Sequence, residues 1–484
     1  MGIAALDYRK SGTGLNINGI IQDYYVYAGE NISAGDFVEF VNGVASSTTE
    51  TVTITSSDTP LGGCGRVLSA CKLSNDKIFI VHGSTTSESS SNYIYGVVCS
   101  LSTDGTISPG TDTLISTNAY SGWSMSVCAL SDTKVFIAYR RGSTKYLNAQ
   151  VCTISGTTVT LGTDTKIAEA STYCSNAISV EMLSSTSVCV VFSSGSNNYI
   201  GTQICTISGA TITEGDKYFS SDAGTNGGYF LSTAKLSSSK VFVTHGNPTN
   251  TSGTLPETGL YGVVVSITGT TVTYGSDVQI LSDQYSGVET STVARTSTSV
   301  FIAHTYGSNR HLYGVVCTVS GTTITVGTDT SIQATTNAGY RITANDIGDG
   351  VFIAYSYSSS FHLYGQICTI SGTTITTGKN TSLSGTHYAG FVLESEVVTL
   401  NGESKIFIAH TDDSSYNLSG QLFSINKTKN IPTNEFLTTG TITTYETQVR
   451  PATTLPCNGV AKTSGIGGSN TAHNQQVSVY VPDV

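Results

Sequence analysis

The chain has 484 residues, 51 glycines, only 11% charged residues and a net charge of −11. A chain of this length can bury a large core, and an acidic chain with scattered Lys and Arg argues against nucleic acid or an anionic membrane as a partner. No stretch reaches the roughly 20 apolar residues that a membrane span needs. The first residues, MGIAALDYRKSG, do not resemble a signal peptide, so we expect folding in the cytoplasm.

Two strand-like segments precede everything that repeats. Residues 26–44 combine short apolar runs with turn residues, and residues 50–57 (ETVTITSS) alternate Thr with apolar residues. Alternation of this kind predicts a half-buried strand.

From residue 77 onward the chain repeats itself seven times. The first repeated element is a Val/Ile/Phe-rich run that begins at residues 77, 134, 187, 240, 299, 350 and 405. The second element begins at residues 95, 148, 201, 261, 313, 364 and 419. A third strand follows each Ser-Gly turn, and a fourth precedes each first element. Four short strands in about fifty residues have the size of a propeller blade.

The outermost strand predicts how the ring closes. Its copies end at Asp58, Asp112, Asp164, Asp216, Asp277, Asp329 and Asn380. The first copy lies before the first repeat and none follows the last, so we expect residues 50–57 to complete the seventh blade and remove an open edge.

The predicted fold class is therefore all-β, a seven-bladed β-propeller with four-stranded blades, closed by an N-terminal strand. It occupies residues 50–429. The remaining residues, 1–49 and 430–484, are predicted to form one split β-barrel or β-sandwich domain into which the propeller is inserted.

Cysteines and histidines occupy repeat positions that favour packing over metal binding. Five of the 11 cysteines share one position of the second element with Val265 and Phe423: Cys99, Cys152, Cys205, Cys317 and Cys368. Four histidines share a position with Tyr139, Phe192 and Tyr355: His82, His245, His304 and His410. Buried cysteine behaves as a small apolar residue, and no CxxC pairs stand at zinc spacing. We expect neither a metal site nor a cofactor.

Four carboxylates lie on the predicted innermost strands: Glu181, Asp346, Glu394 and Glu396. Two carboxyls about 5 to 10 Å apart can hydrolyse a glycosidic bond, so a glycan-cleaving enzyme stays open as an alternative. No His or Arg partner is evident, and the Asp-box turns and arginine cluster of sialidases are missing. We therefore predict that the protein is not an enzyme.

The loops predict a binding surface. One face of the disc carries short, nearly constant turns, and the other carries variable loops in which Tyr and Trp recur among Ser, Gly and Asn, the mixture that recognition surfaces favour. The candidate ligand-binding residues are Tyr120, Trp123, Tyr173, Tyr229, Tyr285, Tyr340 and Tyr388. The alternative is that these rings only fill the spaces between blades.

Segments near the two ends of the chain, taken together, resemble one known family of proteins. The segment ISAGDFVEFVNG (32–43) and the later GVA (459–461) and QVSVYVP (476–482) together resemble the small β modules of tailed-bacteriophage virion proteins, especially capsid decoration proteins. The resemblance implies that the terminal domain docks on the virion. The residues that carry it are Ile32, Ala34, Gly35, Asp36, Val38, Gly459, Val460, Ala461, Gly467, Val477, Val479 and Pro482.

The sequence therefore predicts a structural phage virion protein, assembled in the host cytoplasm. Its terminal domain binds capsid or other virion proteins, the protein is oligomeric on the particle, and its propeller adheres to a glycan or other cell-surface polymer. The alternative is a tail-associated receptor-binding protein, since such modules also occur at the base of phage fibres and spikes.

Overall fold

A computed structural model describes the chain at residues 22–28, 37–45, 47–64, 67–83, 93–117, 124–141, 146–168, 174–194, 199–220, 229–248, 258–283, 285–357, 361–384, 392–411, 417–430, 445–451, 459–461 and 476–481. Every regular element in these ranges is a β-strand. The chain divides into two compact units, Thr51–Asn426 and a unit that combines Met1–Glu50 with Lys427–Val484.

Four strands precede the repeats, and the first two belong to the terminal unit. They are β1 (Gln22–Ala28), β2 (Phe37–Ala45), β3 (Ser47–Ile54) and β4 (Thr59–Cys64).

The first three blades follow in chain order, each built from its innermost strand outward. Blade 1 holds β5 (Leu68–Ser74), β6 (Lys77–Gly83), β7 (Ile94–Leu101), β8 (Ile107–Pro109) and β9 (Thr113–Ser116); blade 2 holds β10 (Met125–Ser131), β11 (Lys134–Arg141), β12 (Tyr146–Ser155), β13 (Thr158–Leu161) and β14 (Thr165–Ala168); blade 3 holds β15 (Cys174–Ser184), β16 (Ser187–Ser194), β17 (Ile200–Ser208) and β18 (Thr211–Phe219).

Blades 4 to 6 repeat this order, and blade 7 supplies only its three inner strands from this part of the chain. Blade 4 holds β19 (Tyr229–Ser237), β20 (Lys240–Pro248), β21 (Thr258–Thr268), β22 (Thr271–Tyr274) and β23 (Val278–Leu281); blade 5 holds β24 (Thr290–Thr296), β25 (Ser299–Tyr306), β26 (His311–Ser320), β27 (Thr323–Val326) and β28 (Thr330–Gln333); blade 6 holds β29 (Tyr340–Asp346), β30 (Gly350–Ser356), β31 (Leu363–Ser371), β32 (Thr374–Thr377) and β33 (Thr381–Ser382); blade 7 holds β34 (Val392–Leu400), β35 (Glu403–Thr411) and β36 (Asn417–Asn430).

The blades form a closed ring. Each innermost strand packs against the innermost strands of the two neighbouring blades, and β34 of blade 7 packs against β5 of blade 1. Serine side chains tie some of these neighbours together, because Ser232 Oγ accepts a hydrogen bond from Thr292 N (3.0 Å) and Ser291 Oγ accepts one from Ala344 N (2.9 Å). The predicted seven-bladed propeller is confirmed by this pairing.

The outer strand differs from the single strand that the sequence predicts. In six blades it is two short pieces that both pair with the third strand, and only blade 3 keeps it continuous. In blade 5 the break falls at Gly327, whose N–H donates to Val316 O at 2.9 Å. A Cβ there would lie 2.4 Å from the same oxygen, so only glycine permits this approach.

Buried phenylalanines fill the blades and explain the recurring glycine of the third strand. Phe301 on β25 is fully buried. A Cβ on Gly314 would lie 2.7 Å from Ile332 Cδ1 and 2.9 Å from Phe301 Cζ, so the Phe and Ile side chains occupy the space that a larger residue would need.

Residues from β3 and β4 complete blade 7, as the shifted copies of the outer strand predict. Thr55 N donates to Leu422 O (2.9 Å), and Thr55 Oγ1 lies 2.7 Å from Ser424 Oγ. Leu61, only 2% exposed, packs in the core with Phe407. We call residues 51–64 the closing segment, since this pairing seals the ring.

The terminal unit contains β37 (Tyr445–Pro451), β38 (Gly459–Ala461) and β39 (Gln476–Val481) besides β1 and β2. Strand β1 pairs antiparallel with β39 and parallel with β37, while β2 pairs antiparallel with β37 and β38. Val38 on β2 is opposite Gly459 on β38. Of the residues that carry the virion resemblance and the predicted anchoring, six lie outside the described residues: Ile32, Ala34, Gly35, Asp36, Gly467 and Pro482. The inserted terminal domain stays a prediction, as does its anchoring role.

Candidate functional site

The strand ends from which the variable loops depart lie on one face of the propeller, which we call the loop face. Neighbouring strands of a blade are antiparallel, so the turn after the first strand and the turn after the third lie at the same end. The other connections lie at the opposite end. In blade 5 these are residues 307–310, between β25 and β26, and residues 334–339, between β28 and β29.

A cluster of four side chains stands where the loops of blades 5 and 6 meet. The centroid of the Tyr340 ring lies 4.9 Å from the guanidinium carbon of Arg341, 5.7 Å from that of Arg310 and 5.7 Å from the centroid of the Phe361 ring. We call these residues the Tyr340 cluster. All four side chains are half-buried, so part of each packs against the protein and part remains accessible to solvent.

The two arginines of this cluster differ in their partners. Arg341 Nη1 lies 2.9 Å from Glu289 Oε1. Burial acts to lower the pKa of Arg341, but the charges of Glu289 and Tyr340 and the hydrogen bonds to both together outweigh it, so this pKa lies above its ordinary value. Arg310 makes no ion pair with a carboxylate among the described residues. The cluster therefore keeps one uncompensated positive charge beside an aromatic ring.

The backbone of the Tyr340 cluster is strained. Arg310, Arg341 and Phe361 have φ of 50°, 46° and 47°, in the left-handed region that bulky residues avoid. Hydrogen bonds hold the two loops in this shape, because Gly339 N donates to Arg310 O (2.7 Å) and Asn337 N donates to Asn309 O (2.6 Å). Residues kept in such conformations often belong to functional sites.

Further aromatic rings flank the cluster on the same face. Tyr306 and Tyr313 stack with centroids 4.3 Å apart, and Tyr357 meets Tyr364 edge-on at 4.6 Å. The nearby charge of Asp283 raises the pKa of Tyr306. These contacts extend the aromatic surface over blades 5 and 6.

The structure describes three of the seven predicted ligand-binding residues. Tyr340 lies at the centre of the cluster. Tyr285 is half-buried with φ of 69°, in the loop that leads into blade 5. Tyr229 is described only through its backbone, which is opposite Gly246. Tyr120, Trp123, Tyr173 and Tyr388 lie outside the described residues. Sequence reasoning missed Arg310, Arg341 and Phe361; arginine inside variable loops of a chain with so few charges was the available signal.

The histidines have a structural role that the sequence reading missed. The position that the histidines share with Tyr139, Phe192 and Tyr355 is used for hydrogen bonding as well as packing. In blade 5, His304 Nε2 lies 2.9 Å from Asp329 Oδ1 at the break in the outer strand. The same bond recurs in other blades: His82 with Asp112, His245 with Asp277, His410 with Asp58, Tyr139 with Asp164, and Tyr355 with Asn380. Each bond joins the second strand to the outer strand of its blade.

The carboxylates of the innermost strands lie in two separate environments. Burial raises the pKa of Glu181 to about 7, although Thr233 Oγ1 donates to it at 3.0 Å. Burial, reinforced by the charge of Glu396, raises the pKa of Glu394 to about 8, and burial raises that of Glu396 to about 7. The charge of Lys235 acts on Glu181, whereas the charge of Lys72 acts on Glu396.

The expectation that these carboxylates have no arginine partner is wrong for one of them. Arg295 Nη1 on β24 donates to Asp346 on β29, and it also donates to Gly350 O at 2.7 Å. The pair links blades 5 and 6 and neutralises Asp346.

The repeated cysteines are buried. Burial raises the pKa of Cys99, Cys152, Cys205, Cys317 and Cys368 to about 12, so these thiols stay protonated. Among the described residues no three His, Cys, Asp or Glu side chains are grouped to hold a metal ion. The described part of the chain also contains no helix long and apolar enough to cross a membrane.

No protein-family model and no curated protein matches the chain. Solved structures of similar fold include the β-propeller domain of the Trilobed protease from Pyrococcus furiosus (8% identical over 79% of this chain and 100% of that chain, TM-score 0.40), an α-L-arabinanase from Penicillium chrysogenum (10%, 77% and 98%, 0.42) and the six-bladed fucose-recognising lectin from Aleuria aurantia (13%, 68% and 98%, 0.40). These likenesses carry no argument about activity. The class follows from the strand pairing: an all-β, seven-bladed β-propeller.

Proposed function

We propose that the protein is a non-enzymatic adhesion protein that binds a glycan through the loop face of its propeller. The observation that carries the proposal is the strained backbone of the Tyr340 cluster. Three residues around one tyrosine ring, Arg310, Arg341 and Phe361, have positive φ. Each costs about 1 to 3 kcal/mol, so the fold gives up several kcal/mol to keep these side chains in place.

The chemistry of the cluster suits a sugar. An aromatic ring offers flat apolar area to the C–H face of a pyranose, and guanidinium groups donate several hydrogen bonds to its oxygens. Asn309, next to Arg310, is exposed and adds an adaptable donor and acceptor. Tyr306 and Tyr313 lie on the same face, so a polymer could contact more than one ring.

A glycan array with Tyr340→Ala and Tyr340→Phe tests the proposal. The alanine variant should lose most of the binding, because stacking on an aromatic ring is removed, while the phenylalanine variant keeps the ring and should retain it. Leu161→Ala is the matched control, since Leu161 is 41% exposed and lies on the outer strand beside the short turns. Equal binding by all three variants would show that the Tyr340 cluster is not the contact surface.

A second candidate function is glycan cleavage, favoured by one observation. The raised pKa values of Glu181 and Glu394, about 7 and about 8, suit a general acid at neutral pH. Incubation with bacterial surface polysaccharides, followed by assay of reducing ends, tests it. Steady release that is lost in Glu394→Gln would replace adhesion by hydrolysis.

We also propose that the terminal unit forms a separate domain that anchors the propeller to a phage virion. This proposal is supported by the resemblance of residues 32–43 and 459–482 to small β modules of virion proteins. Imaging intact virions with an antibody against the propeller tests it. Label on the capsid supports a decoration protein, label on the tail supports the receptor-binding alternative, and unlabelled virions that lack the protein by mass spectrometry would refute both.

A further inference from the structure

We infer that the Tyr340 cluster binds an acidic saccharide, with Arg310 contacting the anionic group while Tyr340 supports the sugar ring. The inference rests on the proposed glycan binding and adds the class of glycan. The observation behind it is that the two arginines beside the Tyr340 ring differ in whether a carboxylate offsets their charge.

The charges of the cluster leave one arginine available. Glu289 is 2.9 Å from Arg341 and offsets its charge. Arg310 has no such carboxylate partner among the described residues, and its guanidinium carbon lies 5.7 Å from the centroid of the Tyr340 ring. A guanidinium that stands over an aromatic ring keeps its in-plane N–H groups free to donate to an anion.

Arg310 is also held in place before any ligand arrives. Its backbone N–H donates to Gly307 O (3.0 Å), and its carbonyl accepts from Gly339 N (2.7 Å). Thr305 Oγ1 donates to Gly339 O at 2.7 Å, which fixes the second loop against β25. Because the loop is already ordered, binding an anion costs little additional conformational entropy.

The net charge of −11 does not exclude an acidic ligand. At physiological ionic strength charges are screened over about 8 Å, so a ligand bound at the cluster interacts mainly with the charges beside it. The charges in direct contact with the Tyr340 ring are Arg310 and Arg341, and Glu289 offsets that of Arg341, so these three groups sum to one positive charge. The local field therefore favours an anion even though the molecule as a whole repels one weakly.

The anionic group could be a carboxylate or a sulfate, since arginine binds both through paired N–H donors. Polygalacturonate and its fully methyl-esterified form differ only in that charge, so they are the first pair of probes. Dextran sulfate and dextran form the second pair. Polyglutamate controls for attraction to any polyanion.

Binding is measured by biolayer interferometry for the wild type, Arg310→Gln and Arg141→Gln. Arg310→Gln keeps the length of the side chain and the strained backbone but removes the charge. Arg141 is the matched control because it lies near the loop face of blade 2, 3.6 Å from Asp164. Hydrogen bonds to charged groups are worth enough that losing one should weaken binding about 10- to 100-fold.

We expect the wild type to bind one charged polysaccharide at least about 10-fold more tightly than its neutral counterpart. Arg310→Gln should abolish that preference and Arg141→Gln should keep it. The preferred pair then tells whether the group is a carboxylate or a sulfate.

Two results would overturn the inference alone: binding to the neutral polymers that depends on Tyr340 but is unchanged in Arg310→Gln, or equal Arg310-dependent binding to polyglutamate. Absence of binding to every polysaccharide, in the array as well as in these pairs, would overturn the proposed glycan binding itself.

Discussion

Truncation of Leu61 tests whether the closing segment seals the propeller. Leu61 is 2% exposed and packs with Phe407 and Leu418 in the core shared by blades 7 and 1. Leu61→Ala should cost about 2 to 5 kcal/mol, the range for buried leucines that leave a cavity. Because the closing segment can open without unfolding the other blades, most of this cost should appear as local opening.

Hydrogen exchange measures that opening directly. The amides of Thr55 and Ser56 both donate to Leu422 O, at 2.9 and 3.2 Å. A loss of 2 kcal/mol should speed their exchange about 30-fold, since 1.4 kcal/mol is a factor of ten. Ile332, 7% exposed at the equivalent position of blade 5, is the matched control because its core cluster contains no residue of the closing segment. Ile332→Ala should cost similar global stability and leave the exchange of Thr55 and Ser56 nearly unchanged.

The reasoning would be refuted by either of two outcomes. Unchanged exchange of Thr55 in Leu61→Ala would mean that the segment is not held by this packing. Equal acceleration by Leu61→Ala and Ile332→Ala would mean that the ring opens only as a whole.

Three further predictions concern buried polar groups. Asp329→Ala removes the partner of the fully buried His304 and should destabilise the protein by about 1 to 3 kcal/mol in urea unfolding, whereas Asp216→Ala in blade 3 should be nearly neutral. The pKa of Glu394 is raised by burial to about 8 from 4.5, so the folded state holds its proton more tightly than the unfolded state. Stability should fall as pH rises between these values, and Glu394→Gln should weaken that dependence, with the remainder coming from Glu181 and Glu396. Cys317, fully buried with a pKa raised to about 12, should resist thiol reagents until the protein unfolds, as read by peptide mapping.

Each of these predictions has its own control. Blade 3 has Phe192 where the other blades have His or Tyr. If Asp216→Ala lowered the free energy of unfolding as much as Asp329→Ala, the destabilisation by Asp329→Ala would not come from its hydrogen bond. A pH dependence of stability that is the same in Glu394→Gln as in the wild type would mean that this carboxyl does not carry it. Rapid labelling of Cys317 in the native protein would mean that blade 5 opens readily.

The sequence predicts the ring well because the repeat constrains it from several directions. Strand periodicity, turn residues and the shifted copies of the outer strand all agree on a seven-bladed ring with an early closing segment. Leu61 and Leu383 occupy equivalent places, since each lies beside the third-strand glycine of its own blade, Gly420 and Gly365.

The hydrogen bonds that join the second strand of a blade to its outer strand were harder to predict from the sequence. His304 and Asp329 each recur in the sequence, but they meet only because the outer strand is broken between its two pieces. That break depends on the close approach of Gly327 to Val316, which no single residue type predicts. His410 and Asp58 are 352 residues apart, so only the closed ring makes them neighbours.

The candidate site was only partly predictable for a different reason. Tyr340 stood out because aromatic residues recur in the variable loops. Arg310 and Phe361 occupy the same position of two consecutive repeats, four residues before Gly314 and Gly365. The repeat therefore places them in neighbouring blades, but it does not indicate that both lie beside Tyr340. Their left-handed backbone is also unexpected for such bulky residues.

The most direct test of the account is hydrogen exchange of the whole protein with and without the glycan that binds most tightly. The account predicts that protection on binding concentrates in residues 305–313, 337–342 and 361–364, the segments that carry the Tyr340 cluster. Protection confined to the short turns of the opposite face, or to the innermost strands around Glu181 and Glu394, would contradict it.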